Sequence, residues 1–309
     1  MLITFLPLPQ VRIWKPFFGI LNKHNQAMQT VNRLDQISYE TFIREYVNKR
    51  IPVVFKNASK VWGQHTFGPD FFSTHFGNYK KEFEGKMYSI NEILELTSKS
   101  TSKNPAPYPI TFEIPYDLPA LMEHINPIHM NYAIPNWFDS KIFPYGKFGK
   151  NINLFFGGQG NQYSLHKDFY HTNAWITQLY GDKKFILFPG EQDEFLYAGK
   201  QGYSNFLSPV NILDPDIQKY PLYQQARSVE VTLHPGETIF VPNGVWHTTV
   251  ALEQNISLIF DQLNSTNYEA WRVDMYEIKK QKSRPGAIVN YGFAIAAGMA
   301  CKMKELVKK

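Results

Sequence analysis

Two histidines and one aspartate of this 309-residue chain have the residue types and the spacing of a metal site. One residue separates His166 from Asp168, and His247 lies far downstream, after a Pro-Asn-Gly turn. Two imidazoles and one carboxylate form the facial triad that holds non-haem Fe(II) and leaves coordination positions open. A His-x-Asp pair also arises by chance, and many histidines are structural. These residues alone therefore suggest oxygen chemistry without establishing it.

Short strands are predicted to position the three residues. Residues two apart in a strand point to the same side, so His166 and Asp168 can reach one ion together. His247 begins another predicted strand and can close the site from a neighbouring one. Short apolar or alternating segments separated by turn residues are typical of a sandwich or barrel. The predicted strands span 152–156, 172–180, 184–188, 228–233, 238–241, 245–252 and 256–263.

Helical patterns flank this strand-rich region. Upstream, the spacing of apolar residues predicts helices after Ser38, over 67–76 and over 90–96, the last with Ser89 as its N-cap. A short strand is predicted over 51–55, and the segment 97–109, rich in Ser, Thr, Lys and Pro, is predicted to be a loop.

Two further helices are predicted after residue 264. The first places four apolar residues on one face, namely Tyr268, Trp271, Met275 and Ile278. After a break at Pro285-Gly286, the second carries an apolar seam among small residues, formed by Ile288, Tyr291, Ile295, Met299 and Leu306. Such a seam packs either on its own domain or on a partner helix. We therefore expect one domain over 1–265 and a helical extension over 266–309 that can form a homodimer.

Composition limits the other classes of function. With 43% hydrophobic residues the chain can bury a large core. The net charge of +5 is partly concentrated in the last few residues, so no nucleic-acid partner is expected. Cys301 is the single cysteine, which excludes an internal disulfide and favours a reducing, cytoplasmic location. We expect no secretory signal and no membrane helix, because no apolar run reaches about 20 residues.

Several ordered segments around the triad resemble the JmjC-type, cupin-like oxygenases that depend on Fe(II) and 2-oxoglutarate. They are residues 153–160 leading into His166, the Gly-Asp-Lys segment 181–189, and the Pro-Gly-Glu segment 235–242 followed by Trp246 and His247. Within this family the resemblance is to the hydroxylase branch that includes the factor inhibiting hypoxia-inducible factor. Weaker likeness upstream extends it over about residues 36–263.

The resemblance implies a mainly β protein with flanking helices, whose core is a double-stranded β-helix, an eight-stranded jelly roll with iron inside one mouth. His166, Asp168 and His247 would then ligate Fe(II), with 2-oxoglutarate and O2 as cosubstrates. Lys183 would pair with the distal carboxylate of 2-oxoglutarate, since a buried ammonium needs an anion.

The resemblance also suggests which other residues line the site. Tyr163 occupies a position where relatives usually carry Thr or Ser, and its phenol can donate a similar hydrogen bond. Asn153 matches a family asparagine that either lines the cosubstrate pocket or orients its neighbours. Trp175 and Thr177 share the parity of Lys183 and are expected to face the same cavity, unless a bulge reverses them.

Two more histidines are weaker candidates for a functional role. His171 is an alternative ligand three residues after Asp168, but its spacing favours His247 as the third ligand. His234 lies in a turn and is predicted to be structural.

The chemistry implied by the resemblance is oxidative decarboxylation of 2-oxoglutarate coupled to hydroxylation of an amino-acid side chain, in a protein, a peptide or a free amino acid. An N-methyl-lysine or N-methyl-arginine demethylase would use the same core. A non-catalytic jelly-roll binding protein remains a rival from another class, as does a hydrolase with zinc at the same ligands.

Overall fold

The computed structural model describes residues 30–62, 67–114, 116–126, 131–143, 152–200 and 202–307. Residues 1–29, whose sequence shows no clear period, lie outside the described residues, as do the last two lysines. Within the described part of the chain, no helix is long and apolar enough to cross a membrane.

Two facing sheets form the centre of the molecule. The major sheet has the order β1-β2-β11-β8-β13-β6-β5, and the minor sheet has the order β10-β9-β12-β7. The major-sheet strands are β1 (Asn32–Leu34), β2 (Val53–Phe55), β5 (Ile110–Ile114), β6 (Ile152–Gly157), β8 (Asn173–Tyr180), β11 (Thr238–Val241) and β13 (Asn255–Gln262). The minor-sheet strands are β7 (Gln162–His166), β9 (Lys183–Phe188), β10 (Val229–Leu233) and β12 (Trp246–Ala251).

Four strands from each sheet make the predicted eight-stranded jelly roll, and the fold prediction is confirmed. In the major sheet they are β11, β8, β13 and β6, and β1, β2 and β5 extend this sheet at its two ends. A separate hairpin lies outside both sheets, formed by β3 (Lys80–Phe83) and β4 (Lys86–Ser89).

Helices cover the major sheet on its outer face. They are α1 (Tyr39–Phe42), continued by a π-helical turn over Ile43–Val47, then α2 (Pro69–Phe76) and α3 (Ile90–Ser98). Ser38 caps α1 and Ser89 caps α3 in a full capping box, as the sequence predicts. Phe42 and Phe72 belong to the large apolar cluster between these helices and the sheet.

Strand pleating decides which residues of β8 face the interior between the sheets. Ala174 and Ile176 pack there with apolar residues of the minor sheet, whereas Trp175 packs in the outer cluster beneath the N-terminal helices. Thr177 lies two residues after Trp175 on the same strand and therefore points to the same face, where it bonds to Thr238. The expectation that Trp175 and Thr177 share the cavity of Lys183 is therefore wrong, because alternate residues of a strand point to opposite faces.

A helical hairpin closes the chain, formed by α4 (Tyr268–Lys282) and α5 (Arg284–Val307). The four residues predicted to share one face of α4 are all buried. Small residues of α5 face α4 closely: a Cβ on Gly298 would lie 2.2 Å from the ring of Tyr268. The large apolar side chains of the predicted α5 seam do not share the buried side of these small residues. Three of them are exposed, namely Ile288, Met299 and Leu306.

Candidate metal centre

Adjacent strands of the minor sheet carry the two histidines. His166 is the last residue of β7 and lies directly opposite His247 on β12. The β7–β12 register shifts between His247 and Thr249, a bulge of the kind that re-aims side chains next to functional sites. Asp168 follows two residues later, where the chain leaves the strand. The structure thus brings the three predicted ligands together from one strand pair.

The three side chains converge on a common point. Each offers one ligand atom, and these atoms lie within 4.8 Å of one another. Asp168 Oδ1 is 3.8 Å from His166 Nε2 and 3.9 Å from His247 Nε2. These separations are too long for hydrogen bonds and leave room for an ion between the three atoms.

Backbone carbonyls orient both imidazoles. His166 Nδ1 donates to the Ser164 carbonyl at 2.8 Å, and His247 Nδ1 donates to the Val245 carbonyl at 3.1 Å. With Nδ1–H so engaged, each neutral ring presents the lone pair of Nε2 to the common point. This arrangement is typical of metal-bound histidines.

Burial sets the protonation of this group. It lowers the pKa of His166 to about 3 and that of His247 to about 4, so both rings are neutral near pH 7. Burial also raises the pKa of Asp168, because a carboxylate without a cation is costly in a dry site. A divalent ion at this point would remove that cost.

Lys183 begins β9 and points into the interior, with only 2% of its surface exposed. Its ammonium donates to Ser257 Oγ at 2.8 Å, and Ser257 Oγ in turn donates to Gln178 Oε1 at 2.8 Å. Among the described residues no carboxylate pairs with Lys183, and burial lowers its pKa to about 7. A buried ammonium without an anion is the polar group that an acidic cosubstrate would satisfy.

A chain of aromatic rings connects Lys183 with the triad. Its Nζ lies 6.0 Å from the ring of Tyr108, which lies 6.4 Å from the ring of Tyr163. Tyr163 in turn lies 4.8 Å from the ring of His166. Tyr163 is therefore beside the predicted metal, and burial raises its pKa, so its phenol keeps the proton that a hydrogen bond needs.

Asn153 lies on β6 opposite Ile259 of β13. Because directly opposed residues share a face of the sheet and Ile259 packs with the inner apolar cluster, Asn153 is on the inner side. Its role in binding stays a prediction.

Sequence reasoning missed several polar residues of this interior. Tyr108 precedes Pro109 in a segment predicted to be a loop, and its hydroxyl shares a hydrogen bond with Thr249. Asp261 is buried near the triad, and burial together with the charge of Asp168 raises its pKa. Asn173 Nδ2 is buried and has no hydrogen-bond partner among the described residues. No sequence signal identifies them, because strand parity reveals a face only once the register is known.

The mouth beside the triad is a cavity of about 250 Å³. The described residues that line it include no Asp, Glu, Lys or Arg; they are Tyr108, Pro109, Gln162, Tyr163, Ser164, His166, Phe169 and Leu207. Leu207 belongs to the long segment between β9 and β10. This segment is bonded to the end of β7, where Lys167 N donates to the Phe206 carbonyl at 2.9 Å.

The two remaining histidines lie outside the triad. His171 bonds through Nδ1 to Asp274 of α4 and does not belong to the group of three converging ligands. His234 pairs with Asp182 at 2.9 Å in an exposed turn.

The sequence matches the family described as cupin-like domain over residues 64–261, and the chain belongs to this family. The resemblance to the JmjC-type oxygenases is thereby confirmed at the level of the family.

The curated relatives carry several kinds of name. HSPB1-associated protein 1 of Rattus norvegicus is 37% identical over 113 residues, which is 36% of this chain and 23% of that protein. Lysine-specific demethylase 8 of Danio rerio is 24% identical over 250 residues, 74% of this chain and 57% of the relative. The 2-oxoglutarate and iron-dependent oxygenase JMJD4 of Gallus gallus is 30% identical over 118 residues, 37% of this chain and 27% of the relative. The match to HSPB1-associated protein 1 thus spans about a quarter of that protein's length.

Proposed function

We propose that this chain is an Fe(II)- and 2-oxoglutarate-dependent oxygenase that hydroxylates an amino-acid side chain. The observation that carries the proposal is the pairing of two features in one interior. They are an aimed His-Asp-His group and the buried ammonium of Lys183, which has no carboxylate partner within the described part of the chain. The cupin-like family and the relative named as a 2-oxoglutarate and iron-dependent oxygenase support it.

The residues fit the groups that this function requires. His166, Asp168 and His247 would hold Fe(II) on one face, and Lys183 would bind the distal carboxylate of 2-oxoglutarate. When bound, the iron and the cosubstrate supply the oxidising power, with release of succinate and carbon dioxide. The protein's own residues orient the ligands, neutralise the cosubstrate and exclude water.

The rival functions account for less of this interior. A zinc hydrolase would use the three ligands but would leave Lys183 without an anionic partner. A binding protein without catalysis would need neither the two histidines and the aspartate aimed at one point nor the buried ammonium, since both features are costly to bury without a ligand.

A polypeptide is the proposed substrate. Phe169 and Leu207 line the mouth and are exposed, and the exposed ring of Tyr203 lies 5.5 Å from that of Phe169. An exposed apolar rim around a binding cavity is typical of a surface that docks another chain. The uncharged side chains that line the described part of the mouth favour a neutral target side chain over a cationic one.

The test begins with anaerobic addition of Fe(II) and 2-oxoglutarate to the full chain, with and without a peptide library, followed by air. We expect succinate above the level of a His166→Ala/Asp168→Ala control, and a hydroxylated peptide 16 Da heavier. Formaldehyde release from N-methylated peptides would instead identify a demethylase. Two relatives that are named as demethylases support this alternative. Succinate at the control level with every peptide would contradict the proposal.

We also propose a homodimer through α5. Its outward face carries large exposed apolar side chains, among them Val289, Phe293 and Met303, and a second copy offers the matching surface in a two-fold interface. A monomeric mass in light scattering at micromolar concentration would contradict this. A cytoplasmic location stays a prediction that rests on the single cysteine.

A further inference from the structure

The turn that follows Asp168 has an unusual backbone. Tyr170 has φ of 57° and His171 has φ of 50°, so two consecutive residues with side chains adopt the left-handed region. Such conformations are costly for residues other than glycine and persist only where surrounding contacts hold them. The contacts that hold this turn therefore determine where the Asp168 carboxylate points.

Those contacts come largely from the start of the C-terminal hairpin. His171 Nδ1 donates to Asp274 Oδ2 in the middle of α4, and both side chains are mostly buried. Asn267, which precedes α4, donates from Nδ2 to the His171 carbonyl at 3.0 Å and to the Gln262 carbonyl at 2.9 Å. Both the ring and the backbone of His171 are thus tied to one helix.

The other side of the same ring faces the segment that delivers His247. A Cβ on Gly244 would lie 3.4 Å from His171 Cδ2. Gly244 has φ of 77° and stands three residues before His247. His171 therefore lies between α4 and both segments that carry the proposed metal ligands.

We infer that His171 and Asp274 are positioning residues through which α4 holds the metal-ligand turn, so that the C-terminal helical extension is an integral part of the metal centre. This inference rests on the proposed function, because it takes His166, Asp168 and His247 as the ligands. Neither His171 nor Asp274 touches the metal in this account. Each acts through the position of Asp168.

The test compares Asp274→Ala with Glu277→Ala, a matched loss of one acidic side chain three residues further along α4. Glu277 is exposed and pairs with Lys280 at 3.2 Å, away from the turn. Two readouts are taken on each full-length variant. Hydrogen exchange of amides 166–173 is measured without metal, and the dissociation constant and visible spectrum of Co(II) are measured on the folded protein.

We expect Asp274→Ala to exchange faster in this segment, to bind Co(II) about tenfold or more weakly, and to show an altered Co(II) spectrum. Asp274→Asn keeps an acceptor for His171 Nδ1–H and is expected to restore most of the affinity, and Glu277→Ala is expected to match the wild type. If Asp274→Ala does not fold, His171→Gly removes the ring while tolerating the positive φ, and the same losses are expected of it.

Wild-type exchange or wild-type Co(II) affinity in folded Asp274→Ala or His171→Gly would overturn the inference. The proposed function fails in a different way: the wild type itself would then bind Co(II) no better than His166→Ala/Asp168→Ala, which would overturn the inference with it.

Discussion

Two buried lysines of this protein have opposite surroundings. Lys167 is 3% exposed, and its ammonium contacts both carboxylate oxygens of Asp193, at 3.0 and 2.9 Å, and lies 4.9 Å from the ring of Trp246. Lys183 is 2% exposed and has a hydroxyl and no carboxylate as its described partner. The two ammonium groups are buried to the same degree, but only the first has a counter-ion among the residues that the structure describes.

This difference distinguishes a structural lysine from a binding lysine. Asp193 also accepts a hydrogen bond from Trp246 Nε1 at 2.7 Å, so Lys167 joins the outer sides of the two strands that carry the histidines. Lys183 faces the inner side, where a ligand best explains the anion that the described residues do not supply. Burial without a counter-ion is costly, and proteins keep such groups mainly at functional sites.

The largest expected effect is on cosubstrate binding. Lys183→Met should weaken 2-oxoglutarate binding to the Fe(II)-loaded, oxygen-free protein about 100-fold or more, because truncating a buried charge partner costs several kcal/mol. Lys167→Met should change it less than about threefold, since Lys167 faces away from the cavity. Calorimetric titration measures both. Equal losses for the two variants would show that the cosubstrate is misplaced.

The same pair of variants should shift stability in opposite directions. Lys183→Met removes an unpaired buried ammonium and should raise the free energy of unfolding of the ligand-free protein by about 1–3 kcal/mol at pH 6. Lys167→Met should lower it by about 1 kcal/mol, a modest loss because Asp193 is 54% exposed and can be solvated. Denaturant titrations at one pH provide both values, and destabilisation by Lys183→Met would contradict the account.

The stability gain from Lys183→Met should depend on pH in a defined direction. The pKa of Lys183 is lowered from 10.5 to about 7 in the folded protein, so the cost of burying the charge is fully present below pH 7. It declines as the pH rises from about 7 towards 10.5 and is absent above that range. Repeating the denaturant titrations at pH 6 and pH 9 should therefore show a smaller gain at pH 9. A gain that grows with pH would contradict the assigned shift.

A smaller effect is expected from the hydroxyl partner of Lys183. Ser257→Ala removes one hydrogen bond to an uncharged acceptor and leaves the ammonium free for an anion, so 2-oxoglutarate binding should weaken less than about tenfold. The matched change on the other lysine is Asp193→Asn, which should leave 2-oxoglutarate affinity unchanged while lowering the melting temperature. An effect of Ser257→Ala as large as that of Lys183→Met would assign the recognition to the serine.

The strands that carry the site were largely predictable from sequence, and the reason is local. Each of β8, β9, β11, β12 and β13 is an apolar or alternating segment bounded by turn residues, and turn chemistry is readable in a single chain. The three ligand candidates could be identified in the same way, from the His-x-Asp spacing and from the histidine that begins a predicted strand downstream. The hairpin of β3 and β4 and the edge strand β1 went unpredicted, since their sequences carry no clear alternation. The edge strand β5 also went unpredicted, although its residues alternate between apolar and polar.

What could not be predicted depends on register and on distant contacts. Odd numbering alone led to the prediction that Trp175 and Lys183 face the same cavity. They lie on different strands, and the pairing of those strands determines which face each residue occupies. Asp274 is 103 residues from His171, and no local pattern connects them. Tyr108 lies in a segment that composition marks only as a loop. The position of each of these residues depends on contacts between distant parts of the chain. The periodicity within one segment does not predict such contacts.

The binding of 2-oxoglutarate by Lys183 is tested most directly by counting protons. The quantity is the number of protons taken up when 2-oxoglutarate binds the Fe(II)-loaded, oxygen-free protein. It is measured calorimetrically at pH 8 in two buffers of different ionisation enthalpy. With a pKa of about 7, free Lys183 is mostly neutral at this pH, and a bound carboxylate would return its charge. We expect uptake approaching one proton in the wild type and in Lys167→Met, and close to none in Lys183→Met. The same uptake in Lys183→Met as in the wild type, or none in either, would contradict this assignment of Lys183.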